Sequence, residues 1–207
     1  MSDARQEHWN SVFTTKAEDA VSWFQATPET SLRLIQACNL PKDASILDVG
    51  AGASHLPDAL LAEGFSTIAV LDVSDAALAK TRARLRDKGQ TVRFIVADLA
   101  AWKPDLTVDL WHDRAVLHFL TEERDRAAYA DALQRAVRPG GFVLISGFAP
   151  SGPEGCSGLP VVRADPNAIA DLLGPDFDLL DAFEEDHQTP SGGRQRFVFT
   201  RFRRHGG

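Results

Sequence analysis

Short runs of consecutive apolar residues recur through the middle of the chain, separated by segments with helical periodicity. Because these runs show no polar alternation, they are typical of parallel strands that are covered on both faces of a sheet. We predict five strands from them, at residues 46–49, 68–71, 92–96, 108–111 and 142–145. The order strand, helix, strand then predicts an α/β fold with a doubly wound, mostly parallel sheet and right-handed crossovers.

Helix signals occupy the gaps between these strands. Ser74 and Thr121 are suited to be N-caps, and Gly64, Gly89 and the Pro-Gly-Gly run at 139–141 are stop signals. The predicted helices therefore cover residues 56–62, 74–86 and 121–137.

The two ends of the chain differ from this central pattern. Residues 1–44 predict a helical cover, with an amphipathic helix that starts after Pro28 and ends at Pro41. Residues 148–207 contain a loop rich in proline and glycine and a helix that starts at Asp165, followed by strands at 177–183 and 196–202. These two strands predict an antiparallel hairpin that completes a seven-stranded sheet. With the central core of strands and helices at 45–147, residues 1–207 are expected to form a single domain.

The composition argues against several classes of binding partner. Asp and Glu number 29 against 22 Lys and Arg, a net charge of −7, which argues against nucleic-acid binding. No stretch approaches the roughly 20 apolar residues of a membrane span, and the N-terminus has no apolar signal region. Cys38 and Cys156 are too few for a disulfide framework and form no Cys-x-x-Cys pair, so we expect no metal site and a reducing, cytoplasmic location.

A glycine-rich turn follows the first predicted strand, at residues 48–55. Gly50 and Gly52 allow a tight turn and close approach of a ligand to the backbone. His55 stands where a dinucleotide fingerprint needs glycine or alanine, and no Gly-Lys-Ser/Thr follows, so a P-loop is excluded. Asp48 would repel a pyrophosphate but suits a cationic group such as an ammonium.

Two more carboxylates follow the next two strands. Asp72 ends the second strand, where an acid can accept hydrogen bonds from ribose hydroxyls, and Asp98 after the third strand could accept one from an adenine amino group. Together with Asp48, they indicate a nucleoside that carries positive charge.

These motifs resemble the class I S-adenosylmethionine-dependent methyltransferases. The resemblance rests on residues 47–52, 71–74, 97–99 and 138–141. It implies S-adenosylmethionine as cofactor. Its methionine end would lie near Asp48 and Gly50, its ribose at Asp72, and its adenine at Asp98 and Leu99. Ala51, Gly52 and Val73 complete the expected cofactor site. The departure is Ser54, where many members have a third glycine.

The fourth strand is followed by an unusual polar cluster. His112 could contact the cofactor, and Asp113, Arg114 and His118 are the candidate catalytic residues, with Asp113 and Arg114 able to form an ion pair. The segment resembles the Trp-Asp-Arg-Gly-Ala-Leu segment of thiopurine methyltransferases, with a histidine inserted and Ala115 in place of glycine. That resemblance implies a substrate role for Arg114 and favours a sulfur nucleophile. A structural salt bridge and a hydrogen-bonded core histidine are the alternatives.

Three further residues are candidates for the acceptor side of the site. Trp9 and Trp23 lie in the N-terminal segment, and Cys156 lies in the long loop after the fifth strand, where loops are often functional. Packing against the core is the alternative for each of them.

The sequence therefore predicts an enzyme that methylates a heteroatom, preferably sulfur, of a small molecule. A protein-lysine N-methyltransferase is the alternative, because small enzymes of that kind have a similar N-terminus with Trp and Trp-Phe. A non-catalytic sensor of the adenosyl ligand and a nicotinamide oxidoreductase are further readings, the latter disfavoured by His55. We expect neither nucleic acid nor a membrane as partner, and the pattern does not fix the oligomeric state.

Overall fold

A seven-stranded sheet forms the centre of the computed structural model, which describes residues 2–206. The strand order is β3-β2-β1-β4-β5-β9-β8. The strands are β1 (Ser45–Val49), β2 (Thr67–Asp72), β3 (Val92–Val96), β4 (Val108–Arg114), β5 (Val137–Phe148), β6 (Gly155–Cys156), β7 (Leu159–Pro160), β8 (Phe177–Gln188) and β9 (Arg194–Arg204). The helices are α1 (Ser2–Thr15), α2 (Glu29–Gln36), α3 (Leu56–Ala62), α4 (Asp75–Leu85), α5 (Glu123–Ala136) and α6 (Pro166–Leu173).

The sheet topology confirms the predicted fold class. Strands β1 to β5 pair in parallel, and β9 is antiparallel to both β5 and β8. The short strands β6 and β7 form a separate antiparallel ladder within the loop that follows β5. The order reverses between β1 and β4, which is where doubly wound sheets form a ligand crevice at their carboxyl ends.

Helices cover both faces of the sheet, and strand residues alternate between the two apolar layers. Trp111 packs with Tyr129 in the layer beneath α5 and α6, whereas its neighbour Leu110 packs in the layer beneath α2, α3 and α4. This burial on both sides explains why the central strands read as continuous apolar runs. Each fully buried leucine or isoleucine contributes about 1.5–3 kcal/mol to folding.

Helix α1 is held against the core by polar contacts. Asn10 accepts hydrogen bonds from the Ser74 hydroxyl at 2.7 Å and from the Ala76 amide at 3.3 Å. Ser74 also caps α4 by accepting from the Ala77 amide, as predicted. We call residues 2–28 the N-terminal cover. It is the first part of the helical cover predicted for residues 1–44, and it contains α1 and the short 3₁₀ turn Glu18–Ala20.

Several predicted boundaries are wrong. Strand β4 continues through Arg114, because residues 112–114 pair with β5 and residues 112 and 113 also pair with β1. Strand β5 begins at Val137 and includes the Pro-Gly-Gly run. The N-cap of α5 is Glu122 instead of Thr121. The predicted helix start at Asp165 is confirmed, and the Asp165 side chain caps α6 by accepting a hydrogen bond from the Ala168 amide. Within the described part of the chain, the helices are too short or too polar to cross a membrane.

Candidate active site

A cavity opens at the carboxyl ends of β1, β2 and β4, beneath the N-terminal cover. Nearly all of the site residues predicted from the sequence line this cavity. They belong to strands, to turns and to the N-terminal cover, which are far apart along the chain. The predicted residues that line it are Asp48, Gly50, Ala51, Gly52, Asp72, Val73, Asp98, Leu99, His112, Arg114, His118, Trp9, Trp23 and Cys156. The exception is Asp113.

The glycine turn places backbone close to its neighbours. Gly50 and Gly52 have φ angles of +61° and +54°, in the region that favours glycine. A Cβ atom at Gly50 would lie 1.9 Å from Val116 Cγ2, and one at Gly52 would lie 3.0 Å from Phe13 Cζ. Both glycines are therefore required by the packing of the turn. Ser54 does not have a positive φ angle, so its position does not require a third glycine.

Asp72 links the glycine turn to the start of α4. Its carboxylate accepts hydrogen bonds from the Gly52 amide at 2.8 Å and from the Ser74 amide at 2.7 Å. Burial raises the pKa of Asp72 to about 6, although these two donors oppose the shift. Asp72 is thus a hydrogen-bond acceptor at the end of β2, and its pKa of about 6 lies above the ordinary value for an aspartate.

A hydrogen-bonded chain runs from the end of β1 to α2. His112 Nδ1 lies 2.7 Å from Asp48 Oδ1, and His112 Nε2 lies 2.8 Å from the Ser31 hydroxyl. The other oxygen, Asp48 Oδ2, is buried without a hydrogen-bond partner among the described residues. An unpaired buried carboxylate oxygen is costly, and a cationic donor would satisfy it.

Asp98 is the acid at the end of β3. It accepts from the Ala100 amide at 3.1 Å and forms an ion pair with Arg5 of α1 at 2.6 Å. Arg5 also pairs with Asp125 of α5 at 2.7 Å. Sequence reasoning missed Arg5, because its partners are 93 and 120 residues away and the local pattern gives no signal. It also missed Ser31, a single serine in an amphipathic helix.

Arg114 ends β4 with its guanidinium inside the cavity wall. Nη1 donates to the Trp23 carbonyl at 3.0 Å, and the guanidinium carbon lies 5.1 Å from the centre of the Phe197 ring. Nε and Nη2 are shielded from solvent and have no hydrogen-bond partner among the described residues. Burial lowers the pKa of Arg114 to about 10, so it stays protonated at neutral pH.

The predicted ion pair between Asp113 and Arg114 does not form. Adjacent strand residues point to opposite faces, and Asp113 points towards α5. Its carboxylate accepts from the amides of Val116 and Leu117 at 2.8 and 3.1 Å and from the Tyr129 hydroxyl at 2.8 Å. Asp113 lies outside the cavity lining, so the structure gives it the role of holding the turn after β4 instead of a catalytic one.

His118 lies in the short 3₁₀ helix Leu117–Phe119 and faces the same end of the cavity as Arg114. The Phe148 amide donates to Nδ1 at 3.3 Å, so the ring proton sits on Nε2. Nε2 is buried and has no partner among the described residues. Burial and the nearby Arg114 charge lower the pKa of His118 to about 3. His118 is therefore a neutral hydrogen-bond donor.

Aromatic side chains cover the cavity. The ring centre of Trp9 lies 5.0 Å from that of Phe119 and 5.9 Å from that of Trp23. Cys156 lies beneath them, with its sulfur 4.0 Å from the Ser22 hydroxyl, and burial raises the pKa of its thiol. These contacts place aromatic side chains over the acceptor end of the cavity.

The cavity residues fit the cofactor that the sequence resemblance implies. The free oxygen of Asp48 suits an ammonium group, and the carboxylates Asp72 and Asp98 lie at successive strand ends where ribose and adenine are expected. No group of three or more His, Cys, Asp and Glu side chains among the described residues is arranged to hold a metal ion.

Comparisons with known proteins agree with this geometry. A family model described as a methyltransferase domain matches residues 46–141. A trans-aconitate 2-methyltransferase of Methylobacterium radiotolerans is 31% identical over 190 residues, which cover 81% of this chain and 68% of that protein. An EEF1A lysine methyltransferase 2 of Danio rerio is 29% identical over 132 residues, which cover 60% of this chain and 57% of the relative.

Solved structures share the fold. The N-methyltransferase NodS of Bradyrhizobium japonicum, solved in complex with S-adenosyl-L-homocysteine, superposes with a TM-score of 0.70 at 16% sequence identity. The match covers 95% of this chain and 98% of that one.

Proposed function

The chain belongs to the class I S-adenosylmethionine-dependent methyltransferases, and on that premise we propose that it methylates a heteroatom, preferably sulfur, of a small molecule. The cofactor supplies a methyl group on a sulfonium, which is already activated for transfer. The observation that carries the proposal is the continuity of one covered cavity from Asp48, Asp72 and Asp98 to Arg114 and His118. Such a cavity can align donor and acceptor, which is the main requirement of an in-line displacement.

We assign the cofactor side of the cavity residue by residue. Asp48 Oδ2 takes the ammonium of the methionine end, and His112 with Ser31 fixes the Asp48 carboxylate through Oδ1. Asp72 accepts from the ribose, and Asp98 accepts from the adenine. In this assignment His112 is a positioning residue, because its ring nitrogens are both engaged in the chain between Asp48 and Ser31.

Among the described residues, the candidates His118, Cys156 and Asp113 supply no general base at the acceptor end, which supports a nucleophile that enters already ionised. His118 carries its proton on Nε2, the Cys156 sulfur is a protonated thiol, and Asp113 lies outside the cavity. Thiols ionise near pH 8.5, and the positive charge of Arg114 would stabilise a thiolate further. Sulfur is accordingly our first candidate for the atom that is methylated.

The size and charge of the acceptor end favour a small molecule. The cover closes the cavity with Trp9 and Trp23, and the guanidinium of Arg114 repels the ammonium form of a lysine. The curated relative named for trans-aconitate acts on a small molecule. Protein lysine is the second candidate, since other curated relatives are named as lysine methyltransferases of EEF1A.

The test is methyl transfer from labelled S-adenosylmethionine to defined acceptors. We would offer small thiols, trans-aconitate, small amines and purified EEF1A to the wild-type chain and to Asp72→Ala as the control without cofactor binding. We expect label in a small acceptor, thiols first. Label in EEF1A alone would favour the second candidate. Cofactor binding without transfer to any acceptor would support a sensor and contradict our proposal.

A further inference from the structure

Arg114 carries a free pair of donors on one edge of its guanidinium. Nη1 is engaged by the Trp23 carbonyl, while Nε and Nη2, which together form the side edge of the group, have no partner among the described residues. Two parallel N–H bonds on one edge are the geometry that binds a carboxylate in a bidentate manner. Leaving such donors buried and unpaired costs free energy unless a ligand satisfies them.

The surroundings of Arg114 contain no neutralising carboxylate at ion-pair distance in the described part of the chain. Asp48 and Glu185 act on its charge only from farther away, and the guanidinium instead stacks over the Phe197 ring. A cation in an aromatic, water-poor cavity attracts an anion more strongly than one on the surface.

His118 adds a third donor at the same end. Its Nε2–H is buried and has no partner among the described residues. Both side chains line the same cavity, and the Phe148 ring, which contacts the His118 ring, lies 4.9 Å from the Phe197 ring beneath Arg114. The neighbouring rings of Phe119 and Phe148, at 4.4 and 4.7 Å, hold the imidazole in place. Because all three free groups are donors, they complement a ligand that only accepts.

We propose that the Nε and Nη2 edge of Arg114, with His118 Nε2–H, binds a carboxylate of the methyl acceptor. This inference rests on the proposed function and names the substrate class, a small molecule that has a carboxylate besides its reacting atom. A carboxylate is the simplest ligand group that matches the two parallel donors with its two oxygens. The bound carboxylate anchors the acceptor, and the methyl group goes to another atom of the same molecule.

Binding requires a small rearrangement. The free nitrogen atoms are shielded from solvent, so an entering acceptor must turn the guanidinium or displace the Trp23 carbonyl from Nη1. This movement would couple acceptor entry to the N-terminal cover, which holds Trp23.

The test measures binding directly and does not depend on turnover. The full chain, saturated with S-adenosylhomocysteine, is titrated calorimetrically with benzoate and 3-mercaptopropionate, and in parallel with their uncharged primary amides. We expect the carboxylates to bind at least about 10-fold more tightly than the amides, because hydrogen bonds to a charged acceptor are stronger than those to a neutral one. Arg114→Met should abolish this preference, and Arg114→Lys should retain part of it because lysine keeps the charge without the planar edge.

Two controls separate the possible failures. Arg196→Met removes a charge from β9 that pairs with Glu184 and Asp186 outside the cavity, and it should leave the preference intact. The affinity of each variant for S-adenosylhomocysteine shows whether the variant is folded. A dissociation constant within about threefold of the wild-type value is a smaller change than the tenfold preference being tested. In the wild type, a downfield shift of the Arg114 Nε–H resonance on addition of benzoate provides a measurement that needs no variant.

The outcomes distinguish this inference from the proposed function. Equal binding of carboxylates and amides by the wild type, or an unchanged preference in Arg114→Met, would overturn the carboxylate site while leaving methyl transfer to thiols intact. Absence of carboxylate binding in the wild type would overturn it as well. Methyl transfer to none of the acceptors, with the preference present, would overturn the proposed function alone.

Discussion

Asp72 illustrates how a buried acid can be tuned by its surroundings. Its two oxygens accept from the amides of Gly52 and Ser74, which favours the charged form, yet burial still raises its pKa to about 6. A protonated carboxyl is a poorer acceptor for ribose hydroxyls than a carboxylate is. Cofactor binding should therefore favour the ionised form and lower this pKa in the complex.

The pH dependence of cofactor affinity follows from this difference in protonation. Below pH 6 the free protein holds a proton on Asp72 that binding must release, so the affinity should fall as the pH decreases and be constant above about pH 7. Calorimetry with S-adenosylhomocysteine between pH 5 and 8 measures this, with a limiting slope of roughly tenfold per pH unit. Asp72→Asn should bind more weakly and lose the slope. A wild-type affinity that is flat down to pH 5 would contradict the ribose assignment.

Neighbouring residues of β4 point to opposite faces of the sheet. His112 and Arg114 face the cavity, whereas Asp113 faces α5, and this alternation follows from the pleat once the strand is known to extend to Arg114. The sequence could not fix that boundary, since polar residues at 112–114 read as the end of an apolar run. Strand pairing with both β1 and β5 overrides the local pattern there. The glycine turn was easier to predict, because its chemistry is local.

Tyr129→Phe tests whether Asp113 serves the structure. The Tyr129 hydroxyl donates to Asp113 at 2.8 Å and accepts from Trp111 Nε1 at 3.2 Å, and all three side chains are buried. We expect urea unfolding to show a loss of about 1–3 kcal/mol, the cost of leaving a buried polar group unpaired. Cofactor affinity should stay within about twofold of wild type, a change of less than 1.4 kcal/mol. Ser66→Ala removes an exposed hydroxyl and is the control. A large loss of cofactor affinity with an unchanged free energy of unfolding would contradict a structural role for Asp113 and support a role in the active site.

The Arg5→Gln variant tests whether ion pairs hold α1 against the rest of the protein. Arg5 joins α1 to Asp98 of the cofactor side and to Asp125 of α5 through ion pairs at 2.6 and 2.7 Å. Both acids are largely buried, so these pairs should hold the helix more firmly than surface pairs, which contribute about 0–1 kcal/mol. We expect faster dissociation of S-adenosylhomocysteine in stopped-flow measurements. Arg135→Gln, which breaks the exposed pair with Asp131, is the matched control. Identical dissociation rates in the two variants would show that α1 does not retain the cofactor.

At the scale of the whole molecule, the sequence predicted the sheet better than the cover. Apolar runs and turn residues report local structure and burial, and from these the doubly wound, seven-stranded sheet with its C-terminal hairpin was predicted. The contacts that close the cavity join residues far apart in sequence, such as Trp23 with Arg114 and Ser22 with His187. No periodicity encodes such contacts, so the sequence predicted an N-terminal cover but not the individual contacts by which it encloses the cavity.

The N-terminal cover should respond as a unit when the cofactor binds. Hydrogen bonds and ion pairs connect it to the glycine turn and β4: His55 bonds to Glu18 at 2.7 Å and lies 3.1 Å from the Ala26 carbonyl. A ligand beneath the cover stabilises the closed form by mass action, about 2.7 kcal/mol at a ligand concentration 100-fold above the dissociation constant.

Hydrogen exchange measured by mass spectrometry, with and without S-adenosylhomocysteine, provides the check. We expect exchange to slow by up to about 100-fold in residues 4–28 and 50–54, because local opening of the cover must release the ligand first. Helix α6, none of whose residues line the cavity, should exchange at the same rate in both samples and is the internal control. Slower exchange confined to residues 50–54 would mean that the cofactor site closes without the cover, and the enclosed acceptor site that the proposed function requires would then lose its support.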